Sequence, residues 1–364
     1  MTHARAILTT CAVAIAIAAL APGPVLAHGG EGLSGPAAWS AWSLTPEISG
    51  PILLVLVIYS RGVVRRRTAS RPFARIRHTV FFAGMLVLFL SLQSPIDPIG
   101  ERLFLAHQIQ HLLLRMIAPM LIILSRPQGV LIAGLPDGLR RGLAAPLMAN
   151  GTLSGTYAFL TRPFVAFILF VLSLYFWQIP SVHNAALLDP MIHWAMHLTM
   201  LVAGLLFFSM VFSPRDRPTD PSHSLRILLL FSTIVANILL GAITTFKSAA
   251  VYTAYDIEGR LFGLAPLTDE TVGGFILWVP ASMMLIIAIL IVVYDWNAIE
   301  KKRLQRRSGP DRQQNMAPDD PILGSESQAV AAASNRRLAL MLILAVVTMF
   351  SLIVATAVIV VSFG

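Results

Sequence analysis

The chain has 364 residues, of which 56% are hydrophobic and only 12% are charged. Soluble domains carry about 25% charged residues, so this composition excludes a water-soluble globular fold and predicts an all-α membrane protein, a polytopic helical bundle. The net charge of +9 does not indicate a nucleic-acid partner, because the basic residues lie in short loops between apolar runs, where they orient a protein in the lipid bilayer.

Residues 1–27 have the layout of a cleavable signal peptide. A short basic region precedes an apolar stretch that starts at Ile7, and a small-x-small pattern ends at Ala27. The alternative is an uncleaved first transmembrane helix. Cleavage after Ala27 would remove Cys11, the only cysteine. A soft metal ion would then have only His and Met side chains as ligands.

Eight apolar runs long enough to cross a bilayer follow. They lie at 48–64, 77–94, 103–125, 163–180, 189–213, 226–246, 273–294 and 338–362. We predict a seven-span core within residues 28–294 and an additional transmembrane helix within 338–364. Residues 295–337 are polar and poor in aromatics, which predicts a disordered cytoplasmic linker.

Lys and Arg are distributed unevenly between the two sides of these spans. The four basic segments are 61–77, 126–162, 214–226 and 295–337. Together they hold 22 Lys and Arg, against 3 in the segments on the opposite side. Because such loops stay in the cytoplasm, we predict a bacterial inner-membrane protein whose mature N-terminus is periplasmic. Within 126–162, GLPDGLRRGLAAPLM predicts a helix at the membrane surface.

Two spans carry histidine pairs near their predicted outer ends. HQIQH opens the third span with His107 and His111, and HWAMH opens the fifth with His193 and His197. Residues four apart share a helix face, and the helical rise places both pairs at matching depths, about 6 and 12 Å below the outer boundary. Imidazoles at this spacing can chelate a metal ion. We predict a site shared by the two helices, with interhelical hydrogen bonding as the alternative.

Methionines close to these histidines bear on the identity of the metal. They are Met116, Met120, Met196 and Met200. Imidazole and thioether without thiolate favour Cu(I), whereas zinc needs only the imidazoles. Methionine in an apolar helix is also common core packing. We predict copper as the bound ion.

Three further polar residues accompany the histidine pairs. His183, in the outer segment WQIPSVHNAALLDP, is predicted as a mobile entry ligand. Asp189 either accepts a proton from a ligating histidine and orients it or caps the fifth span, with Pro190 in the first helical position. Arg115 lies near mid-bilayer and is a functional candidate on that ground.

The stretches HQIQHLLLRMIAPMLIIL and YFWQIPSVHNAALLDPMIHWAMHLTMLVAGLLFF resemble the CtaG family of multispanning cytochrome c oxidase assembly proteins. The resemblance covers roughly residues 48–294. It implies an assembly factor, not an enzyme, that helps copper reach a haem–copper oxidase and has oxidase subunits as partners. It carries over to His111, His193, His197 and His107.

This chain departs from the family pattern at two positions. Arg115 stands where the resemblance implies an aliphatic residue or Met, and Gln178 stands where it implies His.

Two other functions stay open at this point. A b-type haem electron carrier would use one axial histidine from each helix and leave the second pair idle. A copper transporter would need ligands staged across the bilayer, but the inner halves of these helices offer mainly Met120 and Met210. A hydrolase is disfavoured because the chain has no Gly-x-Ser-x-Gly elbow.

Overall fold

The computed structural model describes residues 35–66, 72–213 and 221–307. Every regular element within these ranges is a helix. The predicted signal peptide, residues 1–27, and the predicted eighth span, 338–362, lie outside the described residues.

Twelve helices form the main elements of the described residues. In chain order they are α1 (Gly35–Ala38), α2 (Pro46–Arg66), α3 (Pro72–Gln93), α4 (Ile96–Gly100), α5 (Phe104–Leu124), α6 (Gln128–Gly134), α7 (Gly151–Leu160), α8 (Pro163–Trp177), α9 (Pro180–Leu188), α10 (Pro190–Val211), α11 (His223–Thr245) and α12 (Pro266–Arg307). Three short segments stand between α6 and α7, at Asp137–Leu139, Arg140–Ala144 and Ala145–Ala149. They cover most of the predicted surface helix.

Six of these helices, α2, α3, α5, α10, α11 and α12, are long and apolar enough to cross a membrane. Helices α7 and α8 are bent by 68° relative to each other and form a seventh crossing if they are counted as one span. Each of the seven predicted core spans falls on a helix, although α8 has only 15 residues. The chain is therefore a multi-pass helical membrane protein with six or seven spans in its described part.

The predicted linker is wrong in its first part. The chain divides into two compact units at Val293, and the second unit continues as helix to Arg307. Residues 295–307 are therefore helical. The remainder of the predicted linker lies outside the described residues.

Helices α5 and α10 form the centre of the bundle. In the most apolar stretch of each helix, 67% of the residues of α5 and 61% of those of α10 are buried inside the protein, compared with 28% of those of α2. Leu113–Ile117 in the middle of α5 is a π-helical turn. Pro119, which has no N–H to donate to a carbonyl one turn earlier, follows this turn. Turns of this kind often mark functional sites.

Gly204 allows α10 to cross closely over this irregular turn. A Cβ atom at position 204 would overlap the carbonyl oxygen of Arg115 and lie 2.9 Å from Cγ of Pro119. Only glycine leaves room for this backbone approach. The crossing lies about two turns below His197 and one turn below His111 along their helices, so it fixes the separation of the histidine pairs.

The start of α5 is held by a residue from far along the chain. Helix α5 has no side-chain cap of its own. The two carboxylate oxygens of Asp269 accept hydrogen bonds from the backbone N–H groups of Phe104 and Leu105, each at 2.9 Å. Asp269 also pairs with Arg260 at 2.6 Å. These bonds join the beginning of α5 to the beginning of α12 one turn above His107.

A candidate metal centre

Five histidine side chains meet where α5, α9 and α10 come together; we call them the histidine cluster. They are His107, His111, His183, His193 and His197. Ring centroids within each helix pair lie 4.3 Å (His107–His111) and 4.4 Å (His193–His197) apart. Between α5 and α10 the His107 centroid lies 5.3 Å from that of His193 and 5.8 Å from that of His197. The predicted third and fifth spans thus touch through their histidine faces.

The cluster presents ring nitrogens that no hydrogen bond satisfies. Nε2 of His107, His193 and His197 and both ring nitrogens of His111 are buried and have no partner in the structure. A buried polar atom without a partner costs about 1–3 kcal/mol, so several in one place need an explanation. A shared cation that accepts their lone pairs would supply it.

Three of these residues could hold a metal ion together. One ring nitrogen from each of His107, His111 and His197 lies within 4.8 Å of the others. Nitrogens that bind one tetrahedral ion lie about 3.3 Å apart, since each metal–nitrogen bond is about 2.0 Å. Small rotations of the rings would close this gap. His193 lies beside the three and is a candidate fourth ligand.

His183 belongs to the cluster, but the structure does not place it as a free ligand. It lies in helix α9 and is fully buried. Its Nδ1 lies 3.0 Å from the carbonyl oxygen of Trp177, and its Nε2 lies 2.8 Å from the hydroxyl of Tyr255. Both ring nitrogens are therefore engaged by protein groups in this structure, and the role of His183 as an entry ligand stays a prediction. Burial lowers the pKa of His183 to about 4, so its ring is neutral at physiological pH.

Tyr255 is a part of the site that the sequence did not reveal. It lies in a short 3₁₀ turn, Thr253–Asp256, between α11 and α12. Its hydroxyl contacts Nδ1 of His107 at 2.8 Å as well as Nε2 of His183. Burial raises the pKa of Tyr255 well above its usual value. A lone Tyr in a polar loop gives no recognisable sequence signal, because it is adjacent to the histidines only in the folded chain.

Asp189 acts as a helix cap in this structure. Its Oδ1 accepts hydrogen bonds from the backbone N–H groups of Met191 at 2.8 Å and Ile192 at 3.1 Å, and the side chain is exposed. Pro190 occupies the first helical position. Of the two predicted roles for Asp189, the structure contains the cap.

Two of the methionines near the histidines pack into the core. Met196 and Met200 are fully buried and belong to an apolar cluster with Leu174, Trp177 and other residues. Met196 faces a stripe of α10 beside the one that carries His193 and His197, whereas Met200 follows His197 by three residues and lies on nearly the same face. Core packing explains these two thioethers without a ligand role.

Arg115 lies four residues beyond His111 and is also buried. Its Nη2 donates a hydrogen bond of 2.7 Å to the carbonyl oxygen of Phe170, and its guanidinium stacks 3.7 Å from the centre of the Phe170 ring. Nε has no hydrogen-bond partner. No carboxylate pairs with Arg115 in the part of the chain that the structure describes. A positive charge is thus held one turn below the histidine cluster.

Gln178 connects two elements that enclose the cluster. Its Nε2 donates a hydrogen bond of 2.7 Å to Oε1 of Gln108, and its Oε1 accepts from the hydroxyl of Tyr252 at 3.1 Å. At this position the chain uses an amide network where the family resemblance implied an imidazole. The five histidines of the cluster come together without a histidine at 178.

Comparison with known proteins supplies independent findings. A family model described as cytochrome c oxidase caa3 assembly factor matches residues 57–298. These residues cover the described helices from the middle of α2 into α12, including the whole histidine cluster. The resemblance stated from the sequence is confirmed.

The curated relatives are mycobacterial. The chain is 26% identical to an uncharacterized protein of Mycobacterium bovis over 77% of its own length and 43% of the relative. It is also 26% identical to an uncharacterized protein of Mycobacterium leprae, over 78% of this chain and 43% of that one. The chain thus spans less than half the length of these relatives. No solved structure matches it.

Proposed function

Because the chain belongs to the cytochrome c oxidase caa3 assembly factor family, we propose that it receives copper in the histidine cluster and passes the ion to an oxidase subunit. The observation that carries this proposal is the group of buried, unpartnered ring nitrogens contributed by two separate helices. Copper is the cargo in this proposal, and the protein carries out no chemical conversion of its own.

The donor set suits a cargo that must be released. Neutral imidazoles bind copper and zinc, and the cluster contains no thiolate or carboxylate that would hold the ion more strongly. The ligands nearest to one another are His107, His111 and His197. Three nitrogens leave a coordination position open, as in metal sites that exchange a ligand. An incoming ligand from a partner protein would take that position during transfer.

The packing of the cluster disfavours a b-type haem. Ring centroids of His107, His111, His183 and His197 lie between 4.3 and 6.5 Å apart in the pairs that touch. A porphyrin between axial histidines needs a flat slot much wider than one imidazole, and the neighbouring rings fill that space. A reduced-minus-oxidised optical spectrum of the purified protein is expected to lack haem bands.

The elements below the cluster disfavour a copper transporter. Arg115 and the stacked rings of Phe170 and Phe207, 4.3 Å apart, lie on the path toward the arginine-rich end of the bundle. A fixed positive charge repels a cation in a low-dielectric interior. The arrangement suits capture and release at the same side of the membrane.

We place the histidine end of the bundle on the periplasmic side of a bacterial inner membrane. The distribution of Lys and Arg supports this orientation, and the oxidase subunits are the partners that the family description suggests. The bilayer surrounds the core helices.

The test of the function is the copper content of the oxidase in cells that lack this protein. We expect the purified oxidase to contain less copper than oxidase from wild-type cells, and a plasmid copy of the protein to restore it. Restoration by a copy carrying His111→Ala and His197→Ala would contradict a role for the cluster. Unchanged copper in the deletion strain would remove the delivery function altogether.

Arg115 is expected to make the site prefer a monovalent ion. Because Arg115 lies one helical turn from His111, the repulsion is on the order of 2 kcal/mol for each unit of charge on the metal at an effective dielectric constant of about 20. We therefore expect Arg115→Met to raise the affinity for Zn²⁺ about 30-fold more than the affinity for Cu(I). Chelator competition with each ion measures the two changes.

The matched control is Arg115→Lys, which keeps the charge. This variant is expected to retain the wild-type ratio of Zn²⁺ to Cu(I) affinity even if both affinities fall. Equal changes in both affinities in Arg115→Met would show that the guanidinium acts through packing on Phe170 and not through its charge.

A further inference from the structure

The hydrogen bonds of His183 have a defined direction. Its Nδ1 faces the carbonyl oxygen of Trp177 at 3.0 Å, and a carbonyl oxygen can only accept. Trp177 is the last residue of α8, where carbonyls lack partners within the helix. The proton of the neutral His183 ring is therefore on Nδ1, and its Nε2 carries a lone pair.

That lone pair settles the orientation of the Tyr255 hydroxyl. The hydroxyl has one proton to donate, and Nε2 of His183 accepts it at 2.8 Å. The Tyr255 oxygen is then an acceptor for its other neighbour, Nδ1 of His107, which also lies at 2.8 Å. His107 must donate from Nδ1. If the Tyr255 hydroxyl donated to His107 instead, His183 would have to donate from Nε2, and the lone pair on its Nδ1 would face a lone pair on the carbonyl oxygen of Trp177.

A neutral His107 that is protonated on Nδ1 has its lone pair on Nε2. This is the nitrogen that is buried without a hydrogen-bond partner in the histidine cluster. Metal-binding histidines commonly donate their other ring N–H to a fixed acceptor, which sets the tautomer and the ring orientation. The bonds from Trp177 through His183 and Tyr255 to His107 have this form.

We infer that Tyr255 and His183 are positioning residues that hold His107 with Nε2 directed at the bound ion. The inference rests on the proposed copper site and specifies how one ligand is prepared for it. Tyr255 lies 148 residues after His107 in the chain, so the loop between α11 and α12 takes part in shaping the site.

The neighbouring Tyr252 offers a matched comparison. It is also a buried tyrosine of the same loop, but its hydroxyl donates to the carbonyl oxygen of Gln178 at 2.9 Å and contacts no histidine nitrogen of the cluster by hydrogen bond. Loss of either hydroxyl leaves buried acceptors unpaired. Only loss of the Tyr255 hydroxyl removes the acceptor for His107.

The first experiment needs no metal. We expect the ¹⁵N spectrum of histidine-labelled protein to contain a His107 ring protonated on Nδ1, assigned by its absence in His107→Ala. In Tyr255→Phe this signal should shift to a mixture of both tautomers, while Tyr252→Phe should keep the wild-type signal. A wild-type His107 protonated on Nε2 would overturn the inference even if the protein binds copper.

The second experiment measures Cu(I) affinity by chelator competition. Tyr255→Phe is expected to weaken binding 10- to 100-fold, the usual effect of losing a residue that orients a ligand, and Tyr252→Phe to leave it within about twofold. Equal losses in the two variants would mean that Tyr255 is only structural. Unchanged affinity in Tyr255→Phe would overturn the positioning role.

A double-variant comparison shows whether His183 and Tyr255 act together or through independent structural effects. Because His183 acts through Tyr255, His183→Phe should weaken Cu(I) binding in the wild-type background and add little in Tyr255→Phe. Additive losses of Cu(I) affinity in the double variant would show that His183 and Tyr255 act independently, and would overturn the inference. If no variant and no wild-type protein binds copper, the proposed function fails, whereas the tautomer result stands on the metal-free spectrum alone.

Discussion

The His111→Ala/His197→Ala double variant is expected to retain less than about a tenth of the copper that the wild-type protein binds. One ligand is removed from each of the two helices, and only His107 is left of the three whose ring nitrogens lie within 4.8 Å. The remaining candidates, His107 and His193, hold copper weakly because the chelating pair at i, i+4 is lost on both helices. Metal analysis and EPR of detergent-purified protein loaded with one copper equivalent measure the loss.

The control replaces two histidines at the other end of the bundle. His78 and His223 lie near the arginine-rich end, and His78 contacts the hydroxyl of Tyr59 at 2.8 Å. The His78→Ala/His223→Ala variant is expected to bind one copper equivalent like the wild type. If it loses as much copper as the first variant, general unfolding and not ligand removal explains both results.

The Gly204→Leu variant is expected to abolish copper binding although position 204 contacts no histidine of the cluster. Any side chain at this position meets the backbone carbonyl of Arg115 and the ring of Pro119. The backbone at this crossing cannot move aside easily, and overpacking of this kind lowers the stability of the folded protein by about 1–3 kcal/mol or more. Helices α5 and α10 must separate, and their histidine pairs separate with them. Copper stoichiometry and thermal unfolding of the purified protein test this.

Gly50→Leu is the matched glycine control. Gly50 lies in the apolar helix α2, and a Cβ atom there would meet nothing within 4 Å. This variant is expected to keep both copper binding and the midpoint of thermal unfolding. A Gly204→Leu protein that binds one copper equivalent would show that the close crossing does not determine the geometry of the site.

The sequence determined those features of the protein that a single helix contains. Apolar runs predicted the positions of the long membrane helices, because the thickness of the hydrocarbon layer sets their length. The 3.6-residue period placed His107 with His111 and His193 with His197 on common faces. The constant helical rise also predicted matching depths for the two pairs. The family resemblance added the oxidase assembly context.

The surroundings of individual side chains were beyond the reach of the sequence. His183 is predicted as a mobile entry ligand from its place in an outer segment, and in the structure its two nitrogens contact the carbonyl oxygen of Trp177 and the hydroxyl of Tyr255, which lies 72 residues further along the chain. The sequence left Met196 open between a thioether ligand and core packing, and the structure packs it in an apolar cluster with Leu174 and Trp177.

The tertiary structure alone decided that α5 and α10 touch and which nitrogens stay free. Gly204 sets the crossing, Asp269 fixes the start of α5 from 165 residues away, and Tyr255 supplies the acceptor for His107. Helical periodicity assigns each residue to a face of its own helix but says nothing about the neighbour which that face meets. That choice depends on close packing and on the pairing of buried polar groups between segments, which arise only once the whole chain has folded.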